Sequence, residues 1–183
     1  MEEMSGQING VSEEMQRLPV GTVLQQRYQI QQVLGQGGFG ITYLAWDHAQ
    51  GCPVALKEFY PQSIVTRNCS WGLDVRCITQ RSIENFHNSK TRFLREADAL
   101  QKFRNVQSIV DIRDYFEANN TAYIVMEYIK GTELSKYVRM RGGKLEVTEA
   151  IRILDPIAKA LERVHAEDLV HRDISPDNIM LTF

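Results

Sequence analysis

The chain has 183 residues, 43% of them hydrophobic and 24% charged, enough to bury one substantial core or two small ones, and disorder is expected only at the ends. A formal net charge of -2 gives no electrostatic case for nucleic acid or an anionic membrane as partner. No apolar run approaches the length of a membrane span, and Cys52, Cys69 and Cys77 show no C-x-x-C spacing, so a cytoplasmic segment with reduced thiols is expected; a Cys69–Cys77 disulfide is the alternative.

Residues 1–20 are polar, carry Glu2, Glu3, Glu13 and Glu14, and read as a flexible leader that cannot be a secretory signal. The segment 21–128 reads as a mostly β lobe. Tyr28 to Leu34 is strand-like, Gly35 begins a glycine-rich turn, and Ile41 to Trp46 follows as a second strand rich in β-branched and aromatic residues. Asp47 to Gly51 is turn material, and Pro53 to Phe59 makes a third strand of an antiparallel meander.

Residues 60–84 read as an irregular insert with a short hairpin near Leu73 to Thr79. The helix after it repeats Phe86, Phe93, Leu94, Ala97 and Leu100 at helical spacing. Glu96 lies three after Phe93 and four before Leu100, so its carboxylate is expected to face the sheet, where it needs a cation. Strands over Ile109 to Phe116 and Thr121 to Tyr128, joined by a polar turn, complete a five-stranded antiparallel sheet with one helix, an α+β architecture. From 129 to 183 the character changes: Gly131 marks a hinge, Leu134 to Met140 a short helix, and Thr148 to Ala166 a longer one with Ile151, Leu154, Ala158, Leu161 and His165 on one face.

Three motifs carry chemistry. Gly35-Gln36-Gly37-Gly38-Phe39-Gly40 matches G-x-G-x-x-G, which occurs in dinucleotide folds and in plain hairpins as well. A strand rather than a helix follows it, which favours a loop between antiparallel strands whose amides lie over phosphates; a ligand-free hairpin is the bland alternative. Val54-Ala55-Leu56-Lys57 places a lysine one strand later, either toward phosphates or simply solvated, and an inward Glu96 would hold it as an ion pair. His171-Arg172-Asp173, with Asn178 five positions after Asp173, puts a carboxylate where a substrate hydroxyl needs a base and an amide where a cation needs an oxygen.

Taken in order, these motifs resemble the eukaryotic-type protein kinase family over roughly Tyr28 to Phe183, and the wording of Gly37 to Tyr43 and Lys57 to Pro61 is similar to bacterial serine/threonine kinases. The resemblance implies a kinase-like fold in which the second lobe is only begun. It implies ATP and Mg2+ as cofactors and a protein serine or threonine as acceptor. Catalytic roles would fall to Asp173, Lys57 and Asn178, with Asn178 also the metal ligand. Leu34, Thr42 and Ala55 would lie above the adenine and Met180 below it. Met126 would be the gatekeeper, the backbone of Glu127 and Ile129 would bond the adenine edge, and Glu133 would approach the ribose.

Ser175 departs from the pattern, since a lysine there usually neutralises the transferred phosphoryl, and Thr42 replaces the usual valine. The D-F-G segment that supplies the main metal ligand is expected beyond Phe183, so the isolated chain is expected to be inactive. A nucleotide-binding or protein-interaction module without turnover is the alternative function. The long helix is expected to lack a partner for its apolar face and to drive self-association.

Overall fold

The computed structural model describes residues 14–171 and 173–182, so the first thirteen residues of the leader, the arginine of the His-Arg-Asp triplet and Phe183 lie outside the described residues. The chain divides into two compact units, the first comprising residues up to Lys102 with Ile112–Tyr128, the second Phe103–Asp111 with the chain from Ile129 onward.

The first unit is built on one antiparallel sheet. Its strands in chain order are β1 (Val23–Leu24), β2 (Tyr28–Gly37), β3 (Gly40–Asp47) and β4 (Cys52–Phe59), then β7 (Ile112–Ala118) and β8 (Thr121–Glu127). The short β5 (Val65–Thr66) and β6 (Arg76–Cys77) pair with each other outside this sheet. The order is β1-β2-β3-β4-β8-β7, the five expected strands plus the two-residue β1 at one edge. Alternation explains the layering: Ile41, Tyr43, Ala45, Leu56, Tyr123 and Val125 point to one face and are fully buried there. Directly opposed pairs Thr42–Lys57, Leu44–Ala55, Ala55–Met126 and Lys57–Ile124 define the other face.

Helix α1 (Ser82–Leu100) packs through Phe86 and Phe93 on Phe59, with ring centroids 5.5 and 5.3 Å apart, and through Ala97 on Ile112 and Ile124. At the sheet's edge Asp47, only 1% exposed, accepts two hydrogen bonds from the Arg27 guanidinium at 2.7 and 2.8 Å. That guanidinium, helped by the amides of Ala49 and Gln50, holds the carboxyl below the usual carboxylate range.

Two segments differ from the sequence reading. From Glu14 onward the leader is seated on the sheet: Glu14 to Gln16 are helical, Leu18 is buried among the strand residues, the Arg17 side chain donates to Gln36, and the Gln16 carbonyl accepts from Arg67. Within the stretch read as irregular, Val65 and Val75 are buried, and β5 pairs with β6, Val65 opposite Cys77 and Thr66 opposite Arg76, so only one strand of the ladder falls in the hairpin expected over Leu73 to Thr79. All three cysteines are free thiols.

The second unit holds helices α2 (Leu134–Met140) and α3 (Val147–His165) and a small sheet of β9 (Thr132–Glu133) with β10 (Met180–Leu181). Arg141 and the Tyr137 hydroxyl both donate to Glu149, tying the end of α2 to the start of α3. On α3, Ala160 and Val164 are buried while Ile151 and Leu154 are 60% and 50% exposed, so much of the expected apolar face is uncovered within this unit. Among the described residues no helix is long and apolar enough to cross a membrane.

Candidate functional site

The predicted site residues fall on both units, and each half has its own geometry. In the first unit, β2 and β3 run to Gly37 and Gly40 as a directly opposed pair, leaving Gly38-Phe39 as a two-residue turn. Register shifts between Ile30 and Gln32, and between Val33 and Gly35, mark bulges in β2; the second takes Leu34 out of the ladder and leaves it 40% exposed.

The glycines divide into two kinds. A Cβ on Gly40 would lie 2.5 Å from the carbonyl oxygen of Glu58, so only glycine lets the end of the turn approach β4 this closely; Lys57 Cε is 3.9 Å from the same point. A Cβ on Gly35, Gly37 or Gly38 would meet nothing within 4 Å, and none of the three has a left-handed φ. Packing and backbone geometry therefore give no reason for glycine there, and Phe39, which follows Gly38 in the turn, is 82% exposed.

Thr42, Ala55, Lys57 and Met126 share one face of the sheet in adjoining register positions. Lys57 is exposed and passes beneath Gly40. Glu96 does not join it. Both side chains are exposed, and no ion pair links them among the described residues. The reason lies in helical phase: Ala97, fully buried against Ile112 and Ile124, takes the sheet-facing position, and Glu96, about 100° around the axis, is turned to solvent.

In the second unit, Asn178 ends a 3₁₀ turn, Pro176–Asn178, and donates from Nδ2 to Asp173 Oδ2 at 2.9 Å and to the Asp173 carbonyl at 3.0 Å. The Asp173 amide donates to His171 Nδ1 at 3.3 Å. These bonds spend the nitrogen end of the amide on the aspartate and leave Oδ1 as the end able to ligate a cation. Met180 pairs with Glu133 across β10 and β9, and Glu133 carries an ion pair to Lys136 at 3.0 Å. A Cβ on Gly131 would lie 2.4 Å from the Leu181 carbonyl, so glycine is required where the chain entering this unit meets β10. Ile129 opens the second unit and Glu127 lies in the first, half-buried in β8.

Magnesium fits this donor set only in part. It binds through one or two carboxylates with waters and phosphate oxygens, whereas Asn178 offers a single amide oxygen, and the described residues hold no group of three or more His, Cys, Asp or Glu able to bind a metal.

Sequence reasoning missed Glu58 and Arg67. Glu58 follows Lys57 and points to the opposite face, where both it and Arg67 have fully buried side chains joined by an ion pair of 2.6 Å. Tyr43 and Tyr123 donate to the same carboxylate at 2.9 and 2.8 Å, and burial pushes both phenols upward. The parity of β4 carried the signal, because a glutamate in phase with Val54 and Leu56 must find a cation inside.

Residues 28–182 match the family described as protein kinase domain. A probable serine/threonine-protein kinase of Clostridium acetobutylicum is 34% identical over 163 residues, 89% of this chain and 22% of that protein; serine/threonine-protein kinase PrkC of Bacillus subtilis is 33% identical over 162 residues, 88% of this chain and 22% of PrkC. The chain thus spans about a fifth of the length of these relatives. Among solved structures, the apo form of PpkA-294 superposes with a TM-score of 0.82 at 32% identity, covering 90% of this chain and 57% of that one. The PknI kinase domain of Mycobacterium tuberculosis, at 24% identity and TM-score 0.69 over 91% and 58% of the two chains, shares the fold.

Proposed function

Because the chain belongs to the protein kinase domain family, we propose that it binds ATP and serves phosphoryl transfer from ATP to a protein serine or threonine. The observation that carries the nucleotide reading is the glycine turn. Three glycines unexplained by packing or φ stand open above a sheet face bearing Thr42, Ala55 and Lys57, which suits backbone amides meant to approach phosphates. Lys57 would contact the α- and β-phosphates as a mobile point charge, and Leu34, Ala55 and Met126 would offer apolar contact to the base. Glu127 would present its backbone to the edge of the base.

Asp173 would accept the proton of the acceptor hydroxyl, and the hydrogen bond from Asn178 Nδ2 to its Oδ2 would orient the carboxylate for that role. Asn178 Oδ1 would be the chain's contribution to magnesium, which when bound neutralises phosphate charge. A cytoplasmic location is part of the proposal, supported by three free thiols.

A second reading, nucleotide binding without turnover, is favoured by two observations: Lys57 and Glu96 are unpaired with each other, and Ser175 carries no charge for the transferred phosphoryl. Titration with ATP, with and without Mg2+, and a radiolabelled transfer assay on a generic basic protein separate the two. Transfer abolished by Asp173→Asn supports the enzyme; binding without any transfer supports the module; no binding of ATP sinks both.

A further inference from the structure

The face of the sheet opposite Lys57 is covered by two pieces of chain that the nucleotide reading does not use, residues 14–18 and the insert following β4. We propose that these two segments form a clamp whose buried Glu58–Arg67 pair positions Lys57 and the glycine turn for a nucleoside triphosphate, a proposal that rests on the nucleotide reading above.

The contacts run to the two elements that would touch phosphate. Tyr60 N donates to the Phe39 carbonyl at 3.1 Å and Gln62 N to the Gly38 carbonyl at 3.2 Å, so the start of the insert holds the tip of the glycine turn by its backbone. Arg17 Nε donates to Gln36 Oε1 at 2.5 Å, and Leu18 N to the Tyr43 hydroxyl at 3.1 Å, so the leader grips both strands of that hairpin. Cys69 N donates to the Met15 carbonyl at 3.0 Å, joining leader to insert. Arg67 sits at the junction. It reaches Glu58 through both terminal nitrogens, at 2.6 and 2.9 Å, and the Gln16 carbonyl through Nε and Nη2 at 2.8 and 2.5 Å.

A fully buried ion pair is seldom the most stabilising choice, since apolar side chains of similar volume do as well or better; what it supplies is fixed geometry. Here that geometry is delivered one residue from Lys57. The lysine stem is flexible, and its direction is set by the strand that carries it. Two planar groups locked against each other at position 58, with Tyr43 and Tyr123 bonded to the same carboxylate, hold β4 to β3 and β8 on either side of Lys57. Glu58 and Arg67 act through Lys57 and are positioning residues.

The test compares the full chain with Glu58→Gln/Arg67→Met, which removes the charge pair while keeping an acceptor for the tyrosines, and with Arg67→Lys. Each is titrated with ATP and with adenosine in EDTA, and the acetylation rate of Lys57 relative to Lys159 is read by mass spectrometry without nucleotide. The clamp predicts that the preference for ATP over adenosine shrinks about tenfold in the double variant, the scale of one lost charge-assisted contact, while adenosine affinity holds. Arg67→Lys should fall between, and Lys57 should acetylate faster in both.

A preference of wild-type size in a folded double variant overturns the proposal, as does a parallel fall for both ligands, which marks a purely structural role. Should the double variant unfold, Arg67→Lys carries the same comparison. If the wild-type chain shows no preference for ATP, the nucleotide reading has failed by itself. The acetylation arm then decides the clamp: an unchanged Lys57 rate overturns it and a raised one supports it.

Discussion

Arg67→Met is the sharpest perturbation of the fold that the structure offers. It removes the cation from a carboxylate whose side chain is completely buried, leaving Glu58 with the hydroxyls of Tyr43 and Tyr123 as its remaining donors. Breaking a buried pair from one side typically costs about 3 to 5 kcal/mol, because the surviving charge has lost its compensation. Two retained hydroxyl donors place the expected loss at the lower end, about 3 kcal/mol. A domain of ordinary stability holds only about 5 to 15 kcal/mol, so the midpoint in urea should fall steeply with the slope unchanged. Trp46 in β3 and Trp71 in the insert are natural reporters. Adding Glu58→Gln should recover most of the loss, since the double variant no longer buries an unpaired charge. A single variant within about 1 kcal/mol of wild type, or a double variant no better than the single, would refute the assignment of Glu58 and Arg67 as a buried, mutually compensating pair.

The two kinds of glycine make opposite demands. Gly40→Ala must push the Glu58 carbonyl aside and should destabilise by about 1 to 3 kcal/mol, whereas Gly38→Ala should change stability by less than about 0.5 kcal/mol and still weaken ATP binding, measured by melting and titration together. Burial raises the phenols of Tyr43, Tyr60 and Tyr123, Tyr60 to about 12. Unfolded tyrosines titrate near ~10, so this part of the stability is intact below that pH and is lost as pH rises above it; phenolate absorbance of these groups should appear together with unfolding, and early ionisation without unfolding would contradict their burial. With Ile151 and Leu154 exposed on α3, self-association is expected, and Ile151→Asp/Leu154→Asp should shift light-scattering mass toward the monomer; a wild-type chain already monomeric would exclude this role for the face.

What the sequence made legible follows from periodicity. Strands β2, β3, β4, β7 and β8 were readable because alternation and β-branched content mark a half-buried ladder, and the glycine-rich stretch after Leu34 marks the connection between β2 and β3. Helix α1 was readable from its apolar repeat, but adjacent positions 96 and 97 both fit the stripe, and only packing decides that the small Ala97 goes inward and Glu96 out. Leu34 owes its exposure to a bulge, which no pattern of residue types announces. The leader and insert were hardest to read. Their order comes from contacts between residues 51 positions apart, such as Arg67 with the Gln16 carbonyl, and such pairings leave no local periodic trace.

The central claim is that the glycine turn and Lys57 receive the phosphates of ATP. Backbone amide resonances of the labelled full chain, followed during titration with ATP and separately with adenosine, test it most directly. The account predicts that Gly37, Gly38 and Phe39 move with ATP and not with adenosine, and that Lys57→Met suppresses the movement. Unmoved turn resonances at saturating ATP, or equal movement with adenosine, would contradict it.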